Sequence, residues 1–304
     1  NHKTLVERFI VPPFSVLDAQ KGYWQDRKRA WLGLGMKGEI GRSPAFESLN
    51  NIFNSEVKYN RKIQEWYGTS IFDPVLCEII YRWFMPNCGR ILDPFAGGSV
   101  RGIVASYLGN DYDGIEIRPE QVEANKSQLD ILKDKDKKPN WIIGDSHNVK
   151  TLVSGEYDLI FSCPPYYDLE VYSDIEGELS ALKSYDEFIK DYRQIVVDCV
   201  SMLKDDRFAC FVVSDIRDKQ GLYRNFVADT IMAFIDGGMR LYNDAILVNS
   251  YMGAPLRAPK LFSKTRKLVK VHQNVLVFYK GNPDAIKSWG DVECGDIEMT
   301  EFEQ

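Results

Sequence analysis

From residue 88 onward, short apolar runs rich in β-branched residues alternate with longer stretches whose apolar positions recur every three or four residues. RILD at 90–93 reads as a strand, followed by a glycine-containing turn and a helix through VRGIVASYLG that Gly109 terminates. YDGIEI (112–117) is a second strand, and PEQVEANKSQLDILK, with Pro119 in its first turn, is the helix after it. Beyond the charged connector KDKDKKPN, WIIGD (141–145) and DLIFS (158–162) supply the third and fourth strands. A helix over about 184–203, the strand FACFVVSD (208–215), the helix FVADTIMAFIDGG and the strands AILVN (245–249) and NVLVFYK (274–280) complete the pattern.

This alternation predicts an α/β fold, a doubly wound, mostly parallel seven-stranded sheet with helices on both faces. Such sheets bind ligands outside the carboxyl ends of their strands, so functional residues should directly follow the strand runs. The first 60 residues do not alternate and read as an N-terminal appendage to a domain over 61–290, with an acidic tail over 291–304. Within the appendage, the basic and aromatic mixture of WQDRKRAW (24–31) suits either a nucleic-acid contact or a helix with Trp24 and Trp31 packed inward.

A chain of 304 residues, 44% hydrophobic, can bury a substantial core. It has no apolar run of eighteen or more residues, which excludes a membrane-spanning helix. Nothing in NHKTLVERFI resembles a signal peptide, so the expected location is cytoplasmic. The six cysteines (Cys77, Cys88, Cys163, Cys199, Cys210, Cys294) show no CxxC pair, and the three histidines are too scattered for a metal cluster. Apart from Cys163 they read as small hydrophobes with reduced thiols.

A net charge of -6 argues against coating nucleic acid by charge alone. The distribution changes that picture. RAPKLFSKTRKLVK (257–270) holds six cations and no acid, whereas 291–304 holds six acids and no cation. The first, with Arg257, Lys260, Lys264, Arg266 and Lys267, is either a phosphate-contacting patch or a solvated loop.

The candidate chemistry lies at strand ends. DPFAGGS (93–99) follows the first strand; paired glycines let backbone approach a ligand, and Asp93 can accept hydrogen bonds from an amino group. Glu116 ends the second strand, where a carboxylate can hold ribose hydroxyls, and Asp145 ends the third, placed for a base amino group. SCPPY follows the fourth. Together with GTSIFDPVLCEIIYRWF (68–84) before the glycine loop and KLVKVHQNVLVFYKG near the end, this set resembles the S-adenosylmethionine-dependent DNA amino-methyltransferases over roughly residues 61–281.

The resemblance implies a Rossmann-like methyltransferase fold with S-adenosylmethionine as cofactor, without metal. Asp93, Phe95, Ala96 and Gly97 would line the methionine moiety, Glu116 the ribose and Asp145 the adenine, with Phe72, Ser99 and Ser162 completing the cofactor set. Its partner would be double-stranded DNA with the target base flipped into a pocket. The setting would be bacterial, archaeal or phage-encoded. Cys163, Pro164, Pro165 and Tyr166 would form the base pocket, with Tyr167 and the basic stretch meeting the substrate. The segment from Tyr166 to Tyr185, with four tyrosines, would close over the flipped base.

One residue departs from the family, which has Asp, Asn or Ser where this chain has Cys163. Either the thiol stands in for a serine while an exocyclic amine is methylated, cytosine N4 first and adenine N6 as the variant, or Cys163 is the nucleophile of carbon-5 methylation of cytosine. The second route needs an acid near the ring, for which Glu170 is the candidate. An RNA methyltransferase of the same fold, or a module that binds the cofactor without chemistry, remains a competing reading.

Overall fold

A computed structural model describes residues 11–37, 72–167, 179, 182, 184–249 and 254–292. Its centre is one mixed eight-stranded sheet. The strands are β1 (Val16–Asp18), β2 (Arg90–Asp93), β3 (Asp111–Glu116), β4 (Asn140–Ile143), β5 (Tyr157–Ser162), β6 (Leu203–Val213), β7 (Arg240–Val248) and β8 (His272–Lys280). Their spatial order is β1-β7-β8-β6-β5-β2-β3-β4. β8 runs antiparallel to β6 and β7, and every other pairing is parallel. The doubly wound α/β expectation therefore holds with one more strand than the seven anticipated. The addition is β1, three residues of the appendage that pair with Ile246–Val248 at the edge.

Helices cover both faces. On one lie α1 (Gly22–Leu32), α2 (Pro74–Phe84), α3 (Val100–Tyr107) and α4 (Pro119–Lys126); on the other lie α5 (Val149–Leu152), α6 (Tyr185–Ser201) and α7 (Phe226–Asp236). The central strands β2 and β5 are buried along nearly their whole length, which is why RILD and YDLIFS read as continuous rather than alternating apolar runs. The 184–203 and 226–238 helices fall where periodicity placed them. PEQVEANKSQLDILK divides into α4 and a separate 3-10 turn at Leu129–Leu132. No helix among the described residues is long and apolar enough to cross a membrane.

The appendage helix α1 docks onto α2, and both tryptophans turn inward and are fully buried. They bring polar edges with them, and α2 meets those edges with a carboxylate. Fully buried Glu78 accepts from Arg27 at 2.6 and 2.8 Å, from Trp31 Nε1 at 2.8 Å and from Arg82 Nε at 3.0 Å. Asp73 caps α2 through the Val75 amide and also accepts from Trp24 Nε1 and Lys28. Such a pair adds little net stability but is costly to break from one side.

At the amino ends of the central strands, Asp158 accepts from the Arg90 amide at 3.0 Å, Lys204 at 2.8 Å and Arg207 at 3.1 Å, tying β2, β5 and β6 together. Burial alone would raise its pKa, but hydrogen bonds from Lys204, the Arg90 amide and Arg207 outweigh it and hold the carboxyl below the usual value. A depressed folded-state pKa gives stability that is present above the unfolded value of about 3.9 and fades as pH falls below it.

Glu78→Ala should lower unfolding free energy by about 3–5 kcal/mol in urea titrations, since it takes one fully buried carboxylate away from Arg27, Trp31 and Arg82 at once. Asp158→Asn should separate from the parent protein clearly in urea midpoint at pH 7, with the gap narrowing toward pH 3; a gap constant with pH would contradict the assignment.

Candidate active site

The chain leaves β2 for β3 and β4 on one side, then returns through β5 to β6 on the other. The crevice of a doubly wound sheet opens where that direction reverses, here at the carboxyl ends of β2 and β5. DPFAGGS leaves the first end and SCPPYY the second.

These ends are joined by one carboxylate. Asp93 is fully buried; its Oδ1 accepts from Ser162 Oγ at 2.6 Å and the Phe95 amide at 3.2 Å, and its Oδ2 from Tyr112 Oη at 2.6 Å and Arg101 Nε at 2.5 Å. Four donors fill the roughly four acceptor positions of a carboxylate. The expectation that Asp93 accepts from a ligand amino group is therefore corrected: its side chain faces the protein. Ser162, expected to touch cofactor, is likewise fully buried and spends its hydroxyl on Asp93.

Arg101 then shapes the glycine loop. Its Nη2 donates to the Phe95 carbonyl at 2.5 Å and the Ala96 carbonyl at 2.9 Å, its guanidinium lies 4.5 Å from the Phe72 ring centre, and Tyr81 donates to its carbonyl at 2.9 Å. Burial pulls the guanidinium's pKa down, but Asp93 outweighs that and the net shift is upward. The Ala96 amide donates to Ile115 of β3 at 2.9 Å, and the loop turns at Gly97 with φ +52°. A Cβ on Gly97 would meet nothing within 4 Å among the described residues, so the loop is open toward that side. Beside it the Ser99 hydroxyl is buried without a hydrogen-bond partner among the described residues. An open cradle and an orphaned hydroxyl fit a bound cofactor.

A side-chain relay ties this loop to the next strand. Glu116 Oε1 accepts from the Arg118 amide at 3.0 Å and Nε at 3.2 Å; Arg118 reaches Gln121 at 3.1 Å, Gln121 reaches Asn125 at 3.0 Å, and Asn125 donates to the Gly97 carbonyl at 2.7 Å. Asp145, half-buried beyond β4, accepts from the amide and ring of His147. Ser146 of the same turn holds the Pro94 carbonyl.

On the other side of the crevice, Pro164 is buried, while Cys163, Pro165 and Tyr166 are partly exposed. Cys163 lies within electrostatic reach of Arg101. The Tyr166 ring sits edge-on to Phe226 at 6.0 Å, and its hydroxyl accepts from Gln273 of β8 at 3.1 Å. Tyr167 is a correction. It turns inward at φ +23° and is buried against Phe188 and Tyr185, with Arg224 at 5.0 Å from its ring centre, so it belongs to the core. Phe95 also packs inward, on Tyr192 and Phe211. Glu170 and most of the tyrosine-rich segment lie outside the described residues.

The basic stretch departs from the loop alternative. Residues Ala254–Thr265 form a helix, α8, with Pro259 inside it and only Ala254 buried. Arg257, Lys260 and Lys264 are exposed on one side by their spacing, and Arg266 and Lys267 follow. Sequence reasoning missed Arg101, Arg118, Gln121 and Asn125. Arg101 left a signal, a lone cation in the otherwise apolar VRGIVASY.

Residues 157–293 match the DNA methylase family of N6 and N4 methyltransferases. This stretch opens with β5 and carries SCPPYY directly after it. That matching stretch is a little under half of the chain, and over it the protein is similar to the amino-methylating DNA methylases. No curated protein matches the chain in sequence. Among solved structures it is similar to TrmN from Thermus thermophilus (13% identity, TM-score 0.45), over 69% of this chain and 49% of that one, so it spans about half of TrmN's length. It is also similar to a methyltransferase from Pyrococcus furiosus (15%, TM-score 0.45, 75% of this chain and 89% of that chain). A third is a TehB-like SAM-dependent methyltransferase from Corynebacterium glutamicum (17%, TM-score 0.43, 78% and 100%).

Arg101→Met should destabilise the protein by about 3–5 kcal/mol in denaturant titration, because Asp93 stays buried without its cation. Arg101→Lys restores the charge without the fork that grips both carbonyls. It should recover most of that stability yet bind S-adenosylmethionine about tenfold more weakly by calorimetry, the loss of roughly one charged hydrogen bond.

Proposed function

We propose that the protein methylates an exocyclic amino group of a base flipped out of duplex DNA, cytosine N4 in the first instance. The observation that carries this reading is the bond between Ser162 and Asp93, which holds the CPPYY turn beside the glycine loop. That turn also opens the stretch matching the amino-methylating DNA methylase family.

S-adenosylmethionine, when bound, supplies an electrophilic methyl group. Asp93, Phe95, Ala96, Gly97 and Ser99 would hold its methionine end through backbone and the Ser99 hydroxyl, Glu116 its ribose and Asp145 its adenine. An exocyclic amine is a poor nucleophile because its lone pair is delocalised into the ring. Pro164 and Pro165 fix the backbone of the turn, so its carbonyl oxygens stand ready to accept the amine's hydrogens and draw the nitrogen toward tetrahedral geometry. On transfer the sulfur–methyl bond would break, its electron pair staying on sulfur so that the cofactor leaves as the neutral thioether, while nitrogen gains the methyl and gives up one proton to solvent. Tyr166, braced by Phe226 and Gln273, offers a ring for stacking worth about 1–3 kcal/mol. In this scheme Cys163 forms no covalent bond. The cations of α8, Arg257, Lys260 and Lys264, with Arg266 and Lys267 after it, would meet the phosphate backbone and make binding fall steeply with salt.

Carbon-5 methylation is favoured by one observation, the nearness of Arg101 to Cys163, since a guanidinium promotes the thiolate. The decisive measurement uses DNA incubated with isotopically labelled cofactor, digested to nucleosides and analysed by mass spectrometry. N4-methylcytosine is expected. N6-methyladenine would move the target while keeping the chemistry, 5-methylcytosine would overturn amine transfer, and label in RNA alone would overturn the DNA substrate. Cys163→Ser should retain activity within a few-fold; abolition would point to the thiolate.

A further inference from the structure

Between β6 and α7 the chain makes a compact turn that the site described above does not use. Arg217 and Tyr223 pair as an antiparallel bridge, the Asp218 amide donates to the Leu222 carbonyl at 2.9 Å, and the Arg224 amide to Ile216 at 2.9 Å. The Asp218 carboxylate closes the tip by accepting from the Leu222 amide at 2.9 Å, and Arg217 Nη1 donates to the Gly221 carbonyl at 2.8 Å. Gly221 sits beneath the Lys267 ammonium at φ +87°, a left-handed conformation that favours glycine. A turn braced this fully nonetheless presents Leu222 at 63% and Tyr223 at 41% exposure. Rigid display of apolar side chains to solvent calls for a partner.

Its surroundings give that partner's charge. The Arg217 guanidinium lies 3.9 Å from the Tyr223 ring centre and the Lys270 ammonium 5.8 Å, Lys219 is exposed beside the tip, and Lys267 covers Gly221. The acids of the turn are partly exposed but engaged by backbone, Asp218 by the Leu222 amide and Asp215 by the Val227 amide. Burial lowers the Lys270 pKa against the pull of nearby Asp215, and the Arg217 charge adds a smaller push in the same direction as burial. The turn's far end reaches the catalytic motif twice, Arg224 over the Tyr167 ring at 5.0 Å and Phe226 against Tyr166 at 6.0 Å.

We propose that the 216–224 turn is a wedge for duplex DNA, with Leu222 entering the base stack, Tyr223 beside it, and Arg217, Lys219, Lys267 and Lys270 gripping the flanking phosphates. This rests on the DNA reading above and deepens it. Apolar side chains inserted between base steps unstack a duplex, and extruding a base leaves a gap to fill. A single strand has no stack to open, so the wedge favours duplex over unpaired RNA.

The test uses the full chain and a duplex carrying the site at which the wild type deposits its methyl group, once fully paired and once with the target base mispaired. Leu222→Ala should keep its melting temperature and cofactor affinity, lose about tenfold in turnover on the paired duplex, and regain near wild-type turnover on the mispaired one. With 2-aminopurine at the target position, its fluorescence rise on binding should shrink in step. Leu222→Met, which keeps the bulk, should restore both. Unchanged turnover on the paired duplex, or equal loss on both substrates, overturns the wedge while leaving DNA methylation standing. A wild type that methylates RNA and no duplex overturns both.

Discussion

The Asp93 carboxylate is the constraint on which the site depends. It sits fully buried where β2, β3, β5 and α3 converge, and each element sends it one donor: the Phe95 amide, Tyr112, Ser162 and Arg101. A buried carboxylate left short of partners is costly, so the four elements are held to geometries that satisfy it. The glycine loop and the CPPYY turn leave from two of those elements, and their separation is fixed by the same group. Arg101 extends the constraint by holding the Phe95 and Ala96 carbonyls, which sets the path of the loop before it turns at Gly97.

The appendage acts on this centre through α2. Glu78 and Asp73 bind α1 on one side of that helix, while from the other Tyr81 donates to the Arg101 carbonyl and Phe72 lies against its guanidinium. Trp24, Arg27 and Trp31 are thus linked to the glycine loop through α2 and Arg101. That placement resolves the choice left open by WQDRKRAW in favour of packing: tryptophans with buried indole nitrogens need acceptors, and α2 supplies them. β1 repeats the theme at the sheet edge, where it covers β7.

Much of the fold was legible in the sequence because the buried strands carry unbroken apolar runs and the helices carry period and stop signals. β1 was not, since three residues cannot show alternation. α8 was missed because Pro259 and a run of cations suggest a loop, yet Pro255 lies in its first turn and exposed positions place few demands on packing. In the site, residue types at strand ends announced where the crevice is but not which way their side chains turn. Asp93, Ser162 and Tyr167 all turned inward. Side-chain direction at a strand end depends on what lies behind it, here Arg101, Asp93 and the Phe188 cluster, and those partners are 8 to 69 residues away in sequence.

The distribution of charge sharpens the proposed substrate. A chain of net charge -6 repels polyanions at long range, so attraction must come from cations close to the contact. At physiological salt the screening length is about 8 Å, short enough that acids elsewhere on the surface count for little at the phosphates. Arg217, Lys219, Lys267 and Lys270 gather around one turn, and that turn packs against the residues following the CPP motif. On the DNA reading, such an arrangement gives weak attraction everywhere except beside the base pocket. Non-productive binding along the rest of the surface is then discouraged by the same charge that makes the protein acidic overall.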